Sequence, residues 1–144
     1  MTQEDKELLL KDLCSRLPYG VKLLHTPTNE ITNLEMIGNG VIDGNIHDLI
    51  ENFKPYLSPL SSMTVIQENE FHFLFPSLVV NRDEYGFVDI ISKSTKDKWE
   101  DTYNYQTYLN DWKKAIQWLL KNNFDINKLI PKNLAINATV LNIY

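Results

Sequence analysis

The chain opens with an apolar pattern that predicts a helix followed by a sharp stop. In "LLLKDLCSRLPYGVK", residues 8–22, apolar side chains recur at helical spacing, namely at Leu9, Leu10, Leu13, Cys14 and Leu17. Thr2 can cap this helix, because its hydroxyl can accept a backbone N–H of the first turn. Pro18 has no N–H and restricts the residue before it, so the helix is predicted to end at Leu17.

Strand-like segments fall into two clusters along the chain. They are "VKLLH" (21–25), "ITNLEMI" (31–37) and "VID" (41–43), then "SLVVN" (77–81) and "FVDIIS" (87–92). The turn "GNG" (38–40) can join the second segment to the third, and "RDEYG" can close a later hairpin. Since these strands cluster instead of alternating with helices, the predicted sheet is mainly antiparallel.

The middle of the chain carries mixed signals. "DLIENF" is long enough for one or two helical turns, and "KPYLSPLSSM" is predicted as an ordered loop. Thr64 with Gln67 fits a capping box and favours a helix. From Phe71 onwards the letters "FHFLF" alternate in a way that favours a strand. We therefore expect a short helix that becomes extended near Phe71.

The clearest amphipathic helix lies nearer the C-terminus. Its apolar positions follow the i, i+3, i+4, i+7 pattern and are Tyr105, Tyr108, Leu109, Trp112, Ala115, Ile116, Leu119 and Leu120. Asn122 and Asn123 can end it in a left-handed cap. Together the elements predict one α+β domain over residues 1–144. Its small, mainly antiparallel sheet is expected to carry the N-terminal and C-terminal helices on one face.

Length and charge narrow the classes of function. The 144 residues fit a single domain, which buries roughly 68–70% of its unfolded surface and needs no disulfide or metal to form a core. The net charge is −5 and the lysines are scattered, so nucleic-acid binding is disfavoured. A basic protein partner remains open.

The chain shows no sign of export or of a membrane span. "MTQEDKELLL" has neither a basic region nor a small-residue cleavage site, and no stretch approaches about 18 apolar residues. The single cysteine forms no internal disulfide, which suits a reducing compartment. We therefore expect a cytoplasmic protein.

Three segments together resemble a known group of proteins. "DKELLLKDLCSRLPYGVK", "KPYLSPLSSMT" and "WLLKNNFDINKLIPKNLAI" cover about a third of the chain. They are similar to a family of small proteins encoded in many copies in gut Bacteroides genomes and in their phages or other mobile elements. The resemblance implies a cytoplasmic accessory protein of a mobile element and implies no catalytic or binding residues.

Cys14 is the first residue to consider for chemistry. A nucleophilic cysteine needs a helix N-terminus, a cation or a histidine to stabilise its thiolate. Cys14 lies late in its helix and on the apolar stripe. We therefore expect a buried structural thiol.

A small catalytic site is the alternative function. His47 with Asp43 in "DGNIHD" could act as a base and its orienting acid, and Asp89 in "FVDII" could join them in a hydrolase or nuclease. The other interpretations are a polar loop at Asp43 and His47 and a solvent-facing acid at Asp89. Metal-ligand spacings and phosphate-binding glycine loops are missing from the sequence, so no metal or cofactor is predicted.

The favoured function is binding of another protein. "WEDTYNYQTYLNDW" is rich in aromatic residues beside acids, and one helical face cannot bury them all. Trp99, Tyr103 and Trp118 lie at the flanks of the predicted core stripe. Exposed Trp and Tyr are enriched at protein interfaces, so these three are predicted to bind a partner. The other interpretation is that they cover a sheet edge or the Ser-Pro loop.

Overall fold

The computed structural model describes residues 1–35, 50–92 and 102–144, and the side chains of 102–104 are outside the description. Its helices are α1 (Gln3–Arg16), α2 (Val65–Leu74), α3 (Thr102–Lys121) and α4 (Ala138–Leu141). Its strands are β1 (Lys22–His25), β2 (Glu30–Asn33), β3 (Phe53–Leu57), β4 (Leu78–Arg82), β5 (Val88–Ser92) and β6 (Ile136–Asn137). Most strand pairs are antiparallel, which confirms the α+β prediction.

The described residues form two compact units. The first unit comprises Met1–Pro59 and Leu120–Tyr144, and the second unit, Leu60–Leu119, is inserted between these two pieces. That residues 1–144 act as a single domain stays a prediction. The described residues include no helix long and apolar enough to cross a lipid bilayer.

Helix α1 begins and ends as the sequence predicts, but its buried face is different. Thr2 and Asp5 form a reciprocal capping box, and Gly20, at φ 79°, follows the last turn. The buried side chains of α1 are Leu9, Asp12, Leu13 and Arg16. At 3.6 residues per turn, this face is rotated by about 80° from the predicted apolar stripe.

Cys14 is consequently exposed, and the prediction of a buried thiol is wrong. The reason is the buried ion pair one turn apart on the same helix. Asp12 and Arg16 are paired in the core, so the face of α1 that contains them is buried. Cys14 lies on the opposite, exposed face.

In the first unit the strands follow the order β2-β1-β3-β6, with β3 and β6 parallel. The β1–β2 hairpin confirms the predicted strand at 21–25 and the first part of the strand predicted at 31–37, since β2 ends at Asn33 and residues 36–37 lie outside the described residues. Asn29, at φ 57°, lies in the hairpin turn. The predicted turn at 38–40 and strand at 41–43 lie outside the described residues. Of the predicted helical turns at 48–53, Ile50–Asn52 form a 3-10 helix and Phe53 begins β3, while residues 48 and 49 lie outside the described residues.

Strand β3 lies where the sequence predicts a loop, and the reason is the position of its proline. The amide of Thr26 donates to the carbonyl of Asn52 at 2.8 Å, which marks a hydrogen-bonded position between β1 and β3. Bonded and non-bonded pairs alternate in an antiparallel ladder, so the Leu23–Pro55 pair is non-bonded. Pro55 therefore removes no hydrogen bond to β1.

The next bonded position of this ladder contains an inserted side chain. The amide of Lys22 donates to the Tyr144 hydroxyl at 3.0 Å, and that hydroxyl donates to the carbonyl of Tyr56 at 3.0 Å. The C-terminal tyrosine thus bridges β1 and β3. Desolvation of the hydroxyl raises the pKa of Tyr144 above its usual value.

The second unit contains α2, the β4–β5 hairpin and most of α3. Thr64 and Gln67 form the predicted capping box. Helix α2 then continues to Leu74, so the predicted change to extended structure near Phe71 is wrong. The predicted hairpin is confirmed with Leu78 paired to Ser92. Helix α3 is followed by Asn123 at φ 60°, which also agrees with prediction.

Candidate interaction surface

Helix α2 is apolar on two opposite sides. Phe71 and Phe75, one turn apart, are buried. Ile66 and Phe73 are seven residues apart and therefore share one side of the helix. This side is about 170° around the helix axis from Phe71 and Phe75. Helices that are apolar all round are normally buried. Here one side is open, with Ile66 80% and Phe73 86% exposed.

The β4–β5 hairpin lies directly beside α2. Nη2 of Arg82 is 2.9 Å from Oε2 of Glu68, and the amide of Val80 donates to Nε2 of His72 at 3.3 Å. The hairpin turn begins just after Arg82, so it starts next to α2.

This turn presents two exposed aromatic side chains. Oδ1 of Asp83 accepts the amides of Tyr85 and Phe87 at 2.9 and 2.8 Å, and Gly86 adopts φ 86°. Tyr85 and Phe87 are nonetheless exposed. We use the name apolar surface for the exposed apolar side chains of these two neighbouring elements, which are Val65, Ile66 and Phe73 of α2 and Tyr85 and Phe87 of the hairpin turn.

The helix behind this surface is held firmly. The ring of Phe71 lies 5.0 Å from that of Phe75 and 5.5 Å from that of Trp118, both in edge-to-face geometry. Nε1 of Trp118 donates to Oε1 of Glu70 at 3.3 Å. Such contacts fix the orientation of α2, so its open side is a preformed surface.

The three residues predicted to bind a partner have different outcomes. Trp99 lies outside the described residues. Tyr103 belongs to α3, and its side chain is outside the description. Trp118 is half-buried and contacts Phe71 and Glu70 of its own unit. The role of all three in binding stays a prediction.

A catalytic role of Asp43, His47 and Asp89 stays a prediction. Asp43 and His47 lie outside the described residues. Asp89 is exposed on β5, where its Oδ1 accepts the amide of Ile90 at 2.9 Å. The interpretation of Asp89 as a solvent-facing acid of a strand is confirmed. Within the described ranges, no group of three or more His, Cys, Asp and Glu side chains could hold a metal.

Ile66 and Phe73 were not predicted as surface residues because the segment from Phe71 onwards was interpreted with the two-residue period of a strand. Phe71, Phe73 and Phe75 alternate, which resembles a strand. On a helix the same spacing places Phe73 opposite the other two. The capping box at Thr64, followed through one more turn, is the signal that could have identified the open side.

A second polar cluster, in the first unit, is inaccessible. Asp12 and Arg16 are both 0% exposed. Nε and Nη2 of Arg16 lie 2.7 and 3.1 Å from the Asp12 oxygens. Nη2 also donates to the carbonyl of Phe124 at 2.8 Å, and Nδ2 of Asn127 donates to Asp12 at 2.8 Å. This network joins α1 to the segment after α3 and has a structural role.

Asp125 also stabilises the segment that follows α3. Its two carboxylate oxygens accept the amides of Leu129 and Ile130 at 2.8 and 2.9 Å. Asp125 therefore caps this turn from its N-terminal side.

Comparisons of the chain with protein-family models, curated proteins and solved structures find no match.

Proposed function

We propose that this chain is a non-enzymatic accessory protein that binds another protein through the apolar surface of its second unit. The family resemblance suggests a phage or another mobile element as its origin, and the cytoplasm as its compartment. The open side of α2 carries the proposal, since Ile66 and Phe73 are large, apolar and exposed on a helix that is anchored from behind.

The size of the side chains supports this role. An aromatic side chain buries about 150–250 Å² when it is fully covered, and aromatic residues dominate interface energetics. Phe73, Tyr85 and Phe87 are each largely exposed. Together with Ile66 and Val65 they could supply a large part of the roughly 800 Å² that each partner of a stable interface contributes.

The direct test is affinity capture with three versions of the full chain. The first is the native chain, the second carries Ile66→Ser and Phe73→Ser, and the third is a control with Val140→Ser. Val140 is exposed to a similar extent, at 77%, but belongs to the first unit. Both variants should keep the native circular dichroism spectrum, because exposed apolar residues contribute little to stability.

The expected result is one partner that the native chain and the Val140 control retain and that the double variant loses. A hot-spot aromatic residue contributes about 2 kcal/mol or more, which corresponds to a loss of affinity of roughly thirtyfold. Equal capture by all three versions would contradict the proposal.

A further inference from the structure

The described residues of the second unit carry predominantly acidic charges. Between residues 60 and 92 the chain has five carboxylates, at Glu68, Glu70, Asp83, Glu84 and Asp89. Arg82 is the one Lys or Arg in this fully described stretch, which gives it a net charge of −4. The other described basic residues of the second unit, Lys113 and Lys114, lie on α3.

The single guanidinium of this stretch is already engaged by a carboxylate. Arg82 forms an ion pair with Glu68 at 2.9 Å. Glu70, Asp83 and Asp89 accept hydrogen bonds from neutral N–H groups, of Trp118 in the first case and of backbone amides in the other two. Neutral donors leave the negative charge of a carboxylate uncompensated. Glu70 is four residues after Ile66 and three before Phe73, so it neighbours both on α2 and gives the apolar surface an acidic margin.

Resting on the binding role proposed above, we propose that the open side of α2 docks a basic amphipathic helix of the partner protein. The apolar stripe of that helix packs on Ile66 and Phe73. Its flanking Lys or Arg side chains face Glu70.

The spacing on α2 fits a helical partner. Ile66 and Phe73 are seven residues apart, which is about 10.5 Å along the axis. Apolar anchors at i, i+3, i+4 and i+7 of a second helix have the same repeat, and two helices pack with their axes about 8–10 Å apart. Asn69 lies between Ile66 and Phe73 on the same side and can accept or donate a hydrogen bond to the partner.

The charge also argues against the surface of a second copy as the occupant. Self-association through this face would bring two acidic margins together, and like charges across an interface are repulsive. A basic helix meets the opposite condition, because its charges complement the margin and increase the association rate.

The test uses two designed peptides of about 18 residues, long enough for a stable amphipathic helix. Both carry the same Leu and Phe stripe. One has Lys and Arg beside the stripe, and its twin has Glu at the same positions. Each is labelled and titrated with the full native chain, with the Ile66→Ser, Phe73→Ser variant, with Glu70→Gln and with the Val140→Ser control, and the readout is fluorescence anisotropy.

The basic peptide is expected to bind the native chain at least about tenfold more tightly than its acidic twin, and to weaken as NaCl rises from about 50 to 500 mM. The double variant should weaken this binding by about tenfold or more, as for a hot-spot pair. Glu70→Gln should weaken it by roughly twofold, as for an exposed charge, and Val140→Ser should not change it.

Three outcomes would overturn the inference in distinguishable ways. If both twins bind equally and both are lost in the double variant, the surface binds proteins but the charge argument fails. If neither twin binds, or the double variant makes no difference, the basic-helix occupant is refuted, and the capture experiment then decides the wider binding role. If sedimentation shows a dimer of the chain that the double variant dissolves, the occupant is a second copy.

Discussion

Removing one partner of the buried Asp12–Arg16 pair should destabilise the protein severely. In Arg16→Met the chain keeps a side chain of similar length but loses the guanidinium. The Asp12 carboxylate then stays at 0% exposure with one remaining hydrogen bond, from Asn127. Breaking a buried ion pair in this way costs about 3–5 kcal/mol, because an uncompensated charge is left in the core.

That cost is large relative to the whole stability of a small protein. Unfolding free energies are about 5–15 kcal/mol, so the variant is expected to lose roughly a fifth or more of its stability. For a chain of this size each kcal/mol corresponds to about 2–4 °C, and the midpoint of thermal unfolding should fall by roughly 10 °C. The hydrogen bond from Arg16 to the carbonyl of Phe124 is also lost, which adds to the cost.

The chain offers a matched control on its surface. Arg82 also forms an ion pair with a carboxylate, at 2.9 Å from Glu68, but its side chain is 42% exposed. Arg82→Met should therefore cost at most about 1 kcal/mol, since exposed ion pairs contribute little. Both substitutions remove the same charge from the same kind of pair, so burial is the main difference between them.

The assay is urea unfolding followed by circular dichroism, with the slope of the transition compared between variants to check that the same structure unfolds. A third variant, Asp12→Leu with Arg16→Met, removes both charges. It should lose less stability than the sum of the losses in Asp12→Leu and in Arg16→Met, because no charge remains buried. If Arg16→Met costs no more than Arg82→Met, the buried pair does not stabilise the contact between α1 and the segment after α3.

Other predictions follow from single contacts. Tyr144→Phe should cost about 0.5–1.5 kcal/mol by urea unfolding, because it removes the bridge between β1 and β3. Desolvation raises the folded-state pKa of Tyr144, so its contribution to stability is present below pH 10 and is lost as pH rises through the folded-state value. The native chain should therefore lose more stability than Tyr144→Phe in strongly alkaline buffer. Thr64→Ala should cost about 1 kcal/mol by removing the cap of α2, and an unchanged midpoint would argue against that cap. Asn123→Ala should cost about 1–2 kcal/mol while Asn123→Gly stays near native, because φ is 60° there. Cys14 should react with a thiol reagent in the native state at the rate of an unfolded control, whereas a much slower reaction would mean that its sulfur is protected.

Local features of this protein are determined by its sequence alone. The capping boxes at Thr2 and Thr64, the stop at Pro18 and the left-handed Asn123 depend on neighbouring residues, so they could be predicted without a fold. The β4–β5 hairpin and the long helix α3 could also be predicted, because the spacing of their apolar residues along the sequence is that of a strand and of a helix.

Other features depend on partners far apart in the chain and needed the tertiary structure. Arg16 is buried because the carbonyl of Phe124 and the carboxylate of Asp12 meet it, and that contact rotates α1 and exposes Cys14. Pro55 is tolerated in a central strand only because its position in the β1–β3 ladder is non-bonded. No local pattern carries this information.

The candidate surface combines both kinds of information. The sequence contains the phenylalanines of α2, but the side on which each one lies depends on whether the segment is a helix or a strand. The structure makes it a helix and buries Phe71 against Phe75 and Trp118, which leaves Phe73 on the opposite side beside Ile66. Packing on one side of the helix thus decides which apolar residues remain exposed on the other.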